Sequence, residues 1–126
     1  MVKKRILVVD DDPKYSDILK VRLESAGAYE VRTESRATRA VAAALEFNPD
    51  LILLDVVMPE LDGGEVAVQL EDHERLKDIP VVFLTSAVTH EEVTAQDGVI
   101  GGRPFLAKPV GLRELLDTIE KYVTKA

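Results

Sequence analysis

The sequence predicts an α/β protein: a five-stranded parallel sheet with helices on both faces. Three observations predict it. Apolar runs at Ile6–Val9, Leu51–Leu54 and Val81–Leu84 lack the alternation of a half-exposed strand, so both of their faces are covered. Segments of helical period lie between them, as a parallel sheet with crossover helices requires. The 126 residues, 46 % hydrophobic and 31 % charged, suit one globular domain with its own core, so residues 1–126 read as a single domain.

The first strand, Ile6–Val9, runs directly into Asp10, Asp11 and Asp12. Two carboxylates ~4 Å apart repel by about 4 kcal/mol at the effective dielectric near a protein surface, so the cluster needs a reason. Asp12 has one: it precedes Pro13, a favoured first helical residue, and reads as a helix cap. Asp10 and Asp11 have none of this kind. The helix over 13–26 sets Tyr15, Ile18, Leu19 and Leu23 along one side and stops at Gly27. Tyr29–Thr33 alternates in polarity and suits an edge strand. A second helix over 36–47 follows the candidate cap Ser35 and ends at Asn48-Pro49.

After the third strand, Leu51–Leu54, the pair Asp62-Gly63 marks a turn, and a third helix begins near Gly64 with Val66, Ala67 and Leu70. Beyond Val81–Leu84, Thr89-His90-Glu91-Glu92 has the form of a capping box. The stretch from there to Pro104 has few apolar anchors and three glycines, so a short or irregular fourth helix is expected. Phe105–Ala107, starting just after Pro104, suits the other edge of the sheet. The last helix repeats Leu112, Leu115, Leu116, Ile119 and Val123, with Tyr122 as packing.

Composition excludes several functions. With no cysteine there is no disulfide, thiolate metal site or cysteine nucleophile. A net charge of −7 argues against direct nucleic-acid binding, and no stretch approaches membrane-spanning length, so a cytoplasmic protein with no membrane contact is expected. No Gly-rich phosphate loop follows the first strand. His73, in a polar run, and His90, in the helix cap, read as solvated.

In open parallel sheets, ligands bind outside the carboxyl ends of the strands. Asp10 and Asp11 end the first strand, Asp55 the third, Thr85 and Ser86 the fourth, and Lys108 the fifth. Each alone has an ordinary reading as a turn cap, a backbone partner or a surface lysine; their meeting at one edge is what points to chemistry. Three carboxylates without Cys or His favour a hard cation such as Mg²⁺. Lysine and hydroxyl supply a point charge and a donor for a phosphoryl group. A carboxylate can itself be the nucleophile, and Asp55, single and between the acid pair and Lys108, is the candidate.

The motifs "VVDDDP", "LILLDVVMPELDG", "IPVVFLTSA" and "FLAKPV", in that order across nearly the whole chain, resemble the receiver domain of two-component response regulators. The resemblance implies a flavodoxin-like (βα)5 three-layer sandwich with strand order 2-1-3-4-5. It implies that Asp55 accepts a phosphoryl group from a sensor histidine kinase or phosphotransfer protein. Asp10, Asp11 and Asp55 match the positions that hold Mg²⁺ (Mn²⁺ as an alternative), with the backbone carbonyl of Val57 as a further ligand. Thr85 matches the switch hydroxyl, Lys108 the site lysine and Phe105 the aromatic switch, while the peptide before Pro109 would be cis. The face of the fourth helix, fifth strand and fifth helix would meet an unidentified downstream protein.

Such a protein is a switch that catalyses its own phosphorylation and slow dephosphorylation, not a turnover enzyme. It works as a monomer or a phosphorylation-dependent dimer. The chain ends soon after the fifth helix, so no output domain is expected. A phosphorylation-independent interaction module would not need Asp55, Thr85 and Lys108 together. A Mg²⁺-dependent phosphohydrolase would want an acid two residues past its nucleophile, where Val57 stands. In the family, the side chains two positions after the phosphorylated Asp and two after the switch Thr influence the hydrolytic water; here they are Val57 and Ala87.

Overall fold

The computed structural model describes residues 2–100 and 102–123. The elements run β1 (Lys4–Val9), α1 (Pro13–Ser25), β2 (Tyr29–Glu34), a 3-10 turn (Ala37–Arg39), α2 (Ala40–Phe47), β3 (Leu51–Leu54), α3 (Gly63–Asp72), β4 (Val81–Thr85), α4 (His90–Ala95), β5 (Val99–Ile100), β6 (Arg103–Ala107) and α5 (Leu112–Val123). The sheet order is β2-β1-β3-β4-β6-β5, and every pair is parallel except the last.

Alternate residues of the central strands feed two separate cores. Leu7, Val9, Ile52, Leu54 and Phe83 face α2 and α3, whereas Ile6, Val8, Leu51, Leu53, Val82 and Leu84 face α1 and α5. This is why these strands read as unbroken apolar runs: both sets of side chains are buried under helices.

The order expected from the resemblance, 2-1-3-4-5, holds for the five parallel strands, with one addition. Phe105–Ala107 is not the edge. Its strand begins two residues earlier, at Arg103, and the two-residue β5 pairs antiparallel outside it. Pro104 is tolerated inside because the hairpin bond falls on its neighbour: Phe105 N–H donates to the Gly98 carbonyl at 2.8 Å. The pairing with β4 starts only at Phe105. α4, expected to be short or irregular, spans six residues and gives way to this hairpin.

Local signals fared unevenly. Asp12 caps α1, accepting from the N–H groups of Lys14 and Tyr15, and Thr89 with Glu92 forms a complete capping box on α4. Ser35 caps nothing: a 3-10 turn entered through Arg36 precedes α2, and Arg36 makes no side-chain cap bond. Asp62, expected as a turn residue, is the N-cap of α3. Ile18, placed on the inner side of α1, is 48 % exposed, because Leu19 and Leu23 already fill the space under the helix. Among the described residues no helix is long and apolar enough to cross a membrane.

Candidate phosphoacceptor site

Hydrogen bonding between neighbouring strands continues one step past their carboxyl ends, and that step lines up the site. Asp10 N–H donates to the Glu34 carbonyl (3.0 Å), Asp55 N–H to the Val9 carbonyl (2.9 Å) and Lys108 N–H to the Thr85 carbonyl (3.0 Å). Residues adjacent in neither sequence nor helix are thereby held in one row by backbone bonds. The three acids at this edge differ in burial: Asp10 and Asp55 are buried, while Asp11 is exposed.

Lys108 joins the row together. Its Nζ lies 2.5 Å from Asp10 Oδ2 and 3.6 Å from Asp55 Oδ2. Burial holds Asp10 above the ordinary carboxylate range, although the hydrogen bonds from Lys108 and from the Asp12 N–H oppose this; the Asp55 charge adds to the rise. Burial alone would pull Lys108 down, but the Asp10 hydrogen bond and the charges of Asp10 and Asp55 outweigh it and raise the ammonium above its usual value. Two buried acids and one cation leave the pocket short of positive charge.

Magnesium, which the sequence motifs imply, fits the donors present. Asp10, Asp11 and Asp55 each offer an oxygen, all within 4.8 Å of one another, with no nitrogen or sulfur donor among them. Exposure of Asp11 leaves one side open to the water that Mg²⁺ retains. Val57 lies two residues past Asp55; its N–H donates to Asp55 Oδ1 (3.4 Å) and its side chain is 61 % exposed at the rim.

The other motif residues make contacts of their own. Thr85 is fully buried and its Oγ1 accepts from the Ala87 N–H at 3.1 Å. Phe105 packs on Phe83, with centroids 4.9 Å apart, in the core beneath α2 and α3. The Lys108–Pro109 peptide is cis.

Three further residues escaped sequence reasoning. Tyr15 lies against Lys108, its ring centroid 4.7 Å from Nζ. His90, read as solvated, has Nε2 2.9 Å from the Pro109 carbonyl oxygen; a carbonyl only accepts, so that nitrogen donates and ties the start of α4 to the loop after β6. Gly63 abuts the backbone at Asp55 and Val56. No spacing rule marks the first two, whereas the doublet Gly63-Gly64 at a helix start was a visible signal of close approach.

Fold and site define a flavodoxin-like α/β protein with an acidic, lysine-bridged pocket at the carboxyl edge of its sheet. The chain belongs to the response regulator receiver domain family, whose profile matches residues 6–120. It is 38 % identical over 122 residues to the DNA-binding dual master transcriptional regulator RpaA of Synechocystis, covering 96 % of this chain and 49 % of RpaA, so it spans about half that relative's length. It is 32 % identical over 124 residues to the polar-differentiation response regulator DivK of Brucella ovis, covering 98 % of each. Among solved structures, the chemotaxis protein CheY4 of Vibrio cholerae superposes with a TM-score of 0.80 at 28 % identity, covering 96 % of this chain and 99 % of that one. The receiver domain of the sensor histidine kinase PA1611 of Pseudomonas aeruginosa, solved with magnesium coordinated in its active site cleft, gives 0.80 at 26 % identity and covers 98 % and 99 %. The chain is thus a receiver domain of two-component signalling, a switch module and not a classical enzyme.

The charge imbalance at Asp10 has a measurable consequence. Because its folded value lies above the unfolded one, its carboxylate opposes folding at neutral pH. That penalty grows as pH rises from the ordinary carboxylate range through the raised value and is relieved below it. Asp10→Asn is therefore expected to melt a few degrees higher than the parent in metal-free neutral buffer while binding Mg²⁺ more weakly. Calorimetry in chelator and a Mg²⁺ titration check both; a lower melting temperature would mean that Lys108 more than compensates burial of the acid.

Proposed function

We propose that the chain is a phosphorylation-activated switch in which Asp55 takes a phosphoryl group from the phosphohistidine of a sensor kinase or phosphotransfer protein. The observation that carries this reading is the position of Lys108 Nζ between Asp10 and Asp55 at the open end of the sheet. An oxygen of the Asp55 carboxylate attacks phosphorus, the P–N bond breaks, and the imidazole leaves with its electron pair. Asp10, Asp11, Asp55 and the Val57 carbonyl would hold Mg²⁺, which supplies charge neutralisation for the transferring phosphoryl oxygens. Lys108 would neutralise a further oxygen. Thr85 Oγ1, which accepts from the Ala87 N–H, donates its own proton to the phosphoryl group, and the loop after β4 follows.

The output surface on this reading is α4, β6 and α5, with Phe105 as its inner contact. A recess of about 300 Å3 lies there, lined by Val93, Asp97, Phe105, Leu106, Thr118 and Tyr122. Phe105 thus touches both the recess and the Phe83 ring behind it, so a change in its packing reaches the surface directly. Residues 1–126 are read as one receiver domain, working as a monomer or a phosphorylation-dependent dimer. Incubation with Mg²⁺ and acetyl phosphate, followed by intact mass, tests the function. One phosphoryl adduct supports it, and no adduct at any donor concentration overturns it.

Lifetime of the adduct is a separate expectation. Hydrolysis needs a water in line with the leaving carboxylate, and neither Val57 nor Ala87 carries a side-chain group to orient one. Val57 stands exposed at the rim, so Val57→Asn offers an amide there without disturbing the core. The variant is expected to lose its phosphoryl group several-fold faster than the parent in a pulse-chase; an equal or longer lifetime would show that this position does not limit the water.

A further inference from the structure

We propose that Tyr15 is a positioning residue of the phosphoacceptor site, holding Lys108 against Asp10 from the α1 side; this rests on the reading of Asp55 and Lys108 given above. A lysine is a compact charge on a flexible four-carbon stem, and nothing in its own chemistry keeps it at one oxygen. Two carboxylates compete for Lys108, at 2.5 Å and 3.6 Å. The ring of Tyr15 lies 4.7 Å from Nζ, within range of a cation–π attraction that adds to the pull of the two acids.

The same side chain also fixes the backbone beyond the lysine. The Tyr15 hydroxyl accepts from the Val110 N–H at 3.3 Å, two residues past Lys108. Tyr15 is anchored in turn, since its own N–H donates to Asp12 Oδ1 (3.4 Å), and the Asp12 N–H donates to Asp10 Oδ1 (2.9 Å). A closed circuit results: Asp10 to Asp12, Asp12 to Tyr15, Tyr15 to Lys108 and Val110, and Lys108 back to Asp10. The third acid of the opening cluster therefore does more than start a helix; it sets the tyrosine that steadies the lysine. Tyr15 is half-buried and packs against the core beneath α1 and α5, so its ring is held independently of the lysine.

Three preparations test this: the parent, Tyr15→Phe, which keeps the ring and loses the Val110 bond, and Tyr15→Leu, which loses both. At subsaturating acetyl phosphate with Mg²⁺, Tyr15→Leu is expected to take up phosphate about tenfold more slowly than the parent. Tyr15→Phe should lie between them, with faster hydrogen exchange at the Val110 amide. NMR of the Lys108 ε-methylene protons supplies a readout that general loosening would not imitate. Ring current should shift them upfield in the parent and Tyr15→Phe, and the shift should vanish in Tyr15→Leu. A Tyr15→Leu variant that phosphorylates at the parental rate overturns the proposal, as does slow uptake with the Lys108 signals unmoved. Should Tyr15→Leu fail to fold, the parent spectrum decides, because an unshifted Lys108 overturns the proposal by itself. A parent that takes up no phosphate would instead sink the functional reading and this proposal with it.

Discussion

Asp55→Asn is expected to take up no phosphate at all, with its fold unchanged. Asp55 is buried between Lys108, 3.6 Å from Oδ2, and the Val57 N–H, 3.4 Å from Oδ1. An amide of the same shape can still accept that N–H and leaves no cavity; its NH2 faces the Lys108 ammonium, which keeps its closer partner Asp10. What disappears is the anionic oxygen that attacks phosphorus, and a neutral amide does not replace it. Removing one of two buried acids also eases their mutual repulsion, so the variant should melt no lower than the parent in metal-free buffer. Intact mass after incubation with Mg²⁺ and acetyl phosphate is the measurement. A gain of one phosphoryl group at the parental rate would move the acceptor to another side chain, whereas loss of uptake with intact thermal unfolding assigns it to Asp55.

Among the described glycines, Gly63→Ala should produce the largest structural effect. A Cβ there would lie inside van der Waals contact of the Asp55 carbonyl oxygen, 2.7 Å from Val56 Cα and 3.0 Å from the Asp55 carbonyl carbon. All three are backbone atoms of Asp55, the proposed phosphoacceptor, and the residue after it, so no side chain can rotate out of the way. The Gly63 N–H also donates to the Val56 carbonyl at 2.7 Å, which binds the start of α3 to that loop. Overpacking of this kind costs about 1–3 kcal/mol, enough to lower the melting temperature by several degrees. Phosphoryl uptake should fall as well, because the displaced peptide carries Asp55 and leads to Val57. Gly64→Ala is the control: its Cβ would meet only the Asp62 side chain, at 3.1 Å. Equal melting temperatures for the two variants would show that the loop yields more easily than its packing implies.

The strands that bear the site were legible because full burial leaves a signature in composition. Ile6–Val9 and Leu51–Leu54 are covered by helices on both faces, and polar residues cannot enter them without an unpaid desolvation cost. An acid at the end of such a run is conspicuous, so Asp10 and Asp55 stood out. Asp12 and Thr89 were equally readable, because a cap bonds only to backbone within three residues of itself. Ser35 shows the limit of that logic. The hydroxyl was in a suitable place, but the chain turned through Arg36 into a 3-10 segment before α2 began.

Residues that act across the fold left no such trace. Tyr15 reads as one more apolar position on α1, and its contact with Lys108 spans 93 positions of sequence, which no local period encodes. His90 meets the Pro109 carbonyl because the start of α4 lies beside the loop after β6, not because of any neighbour in the chain. The β5–β6 hairpin pairs only Val99 and Ile100, good strand formers but too short a run to mark a strand, against a strand containing proline. By itself, then, the sequence determined the buried strands, the caps at Asp12 and Thr89, the acids at the carboxyl edge and the order of motifs, because each depends on burial or on bonds within a few residues. The tertiary structure alone decided which acid Lys108 rests on, what holds it there, how closely α3 presses on Asp55 and where the sheet ends. Those are distances between segments remote in the chain, set by how strands and helices stack and not by any stretch of residues alone.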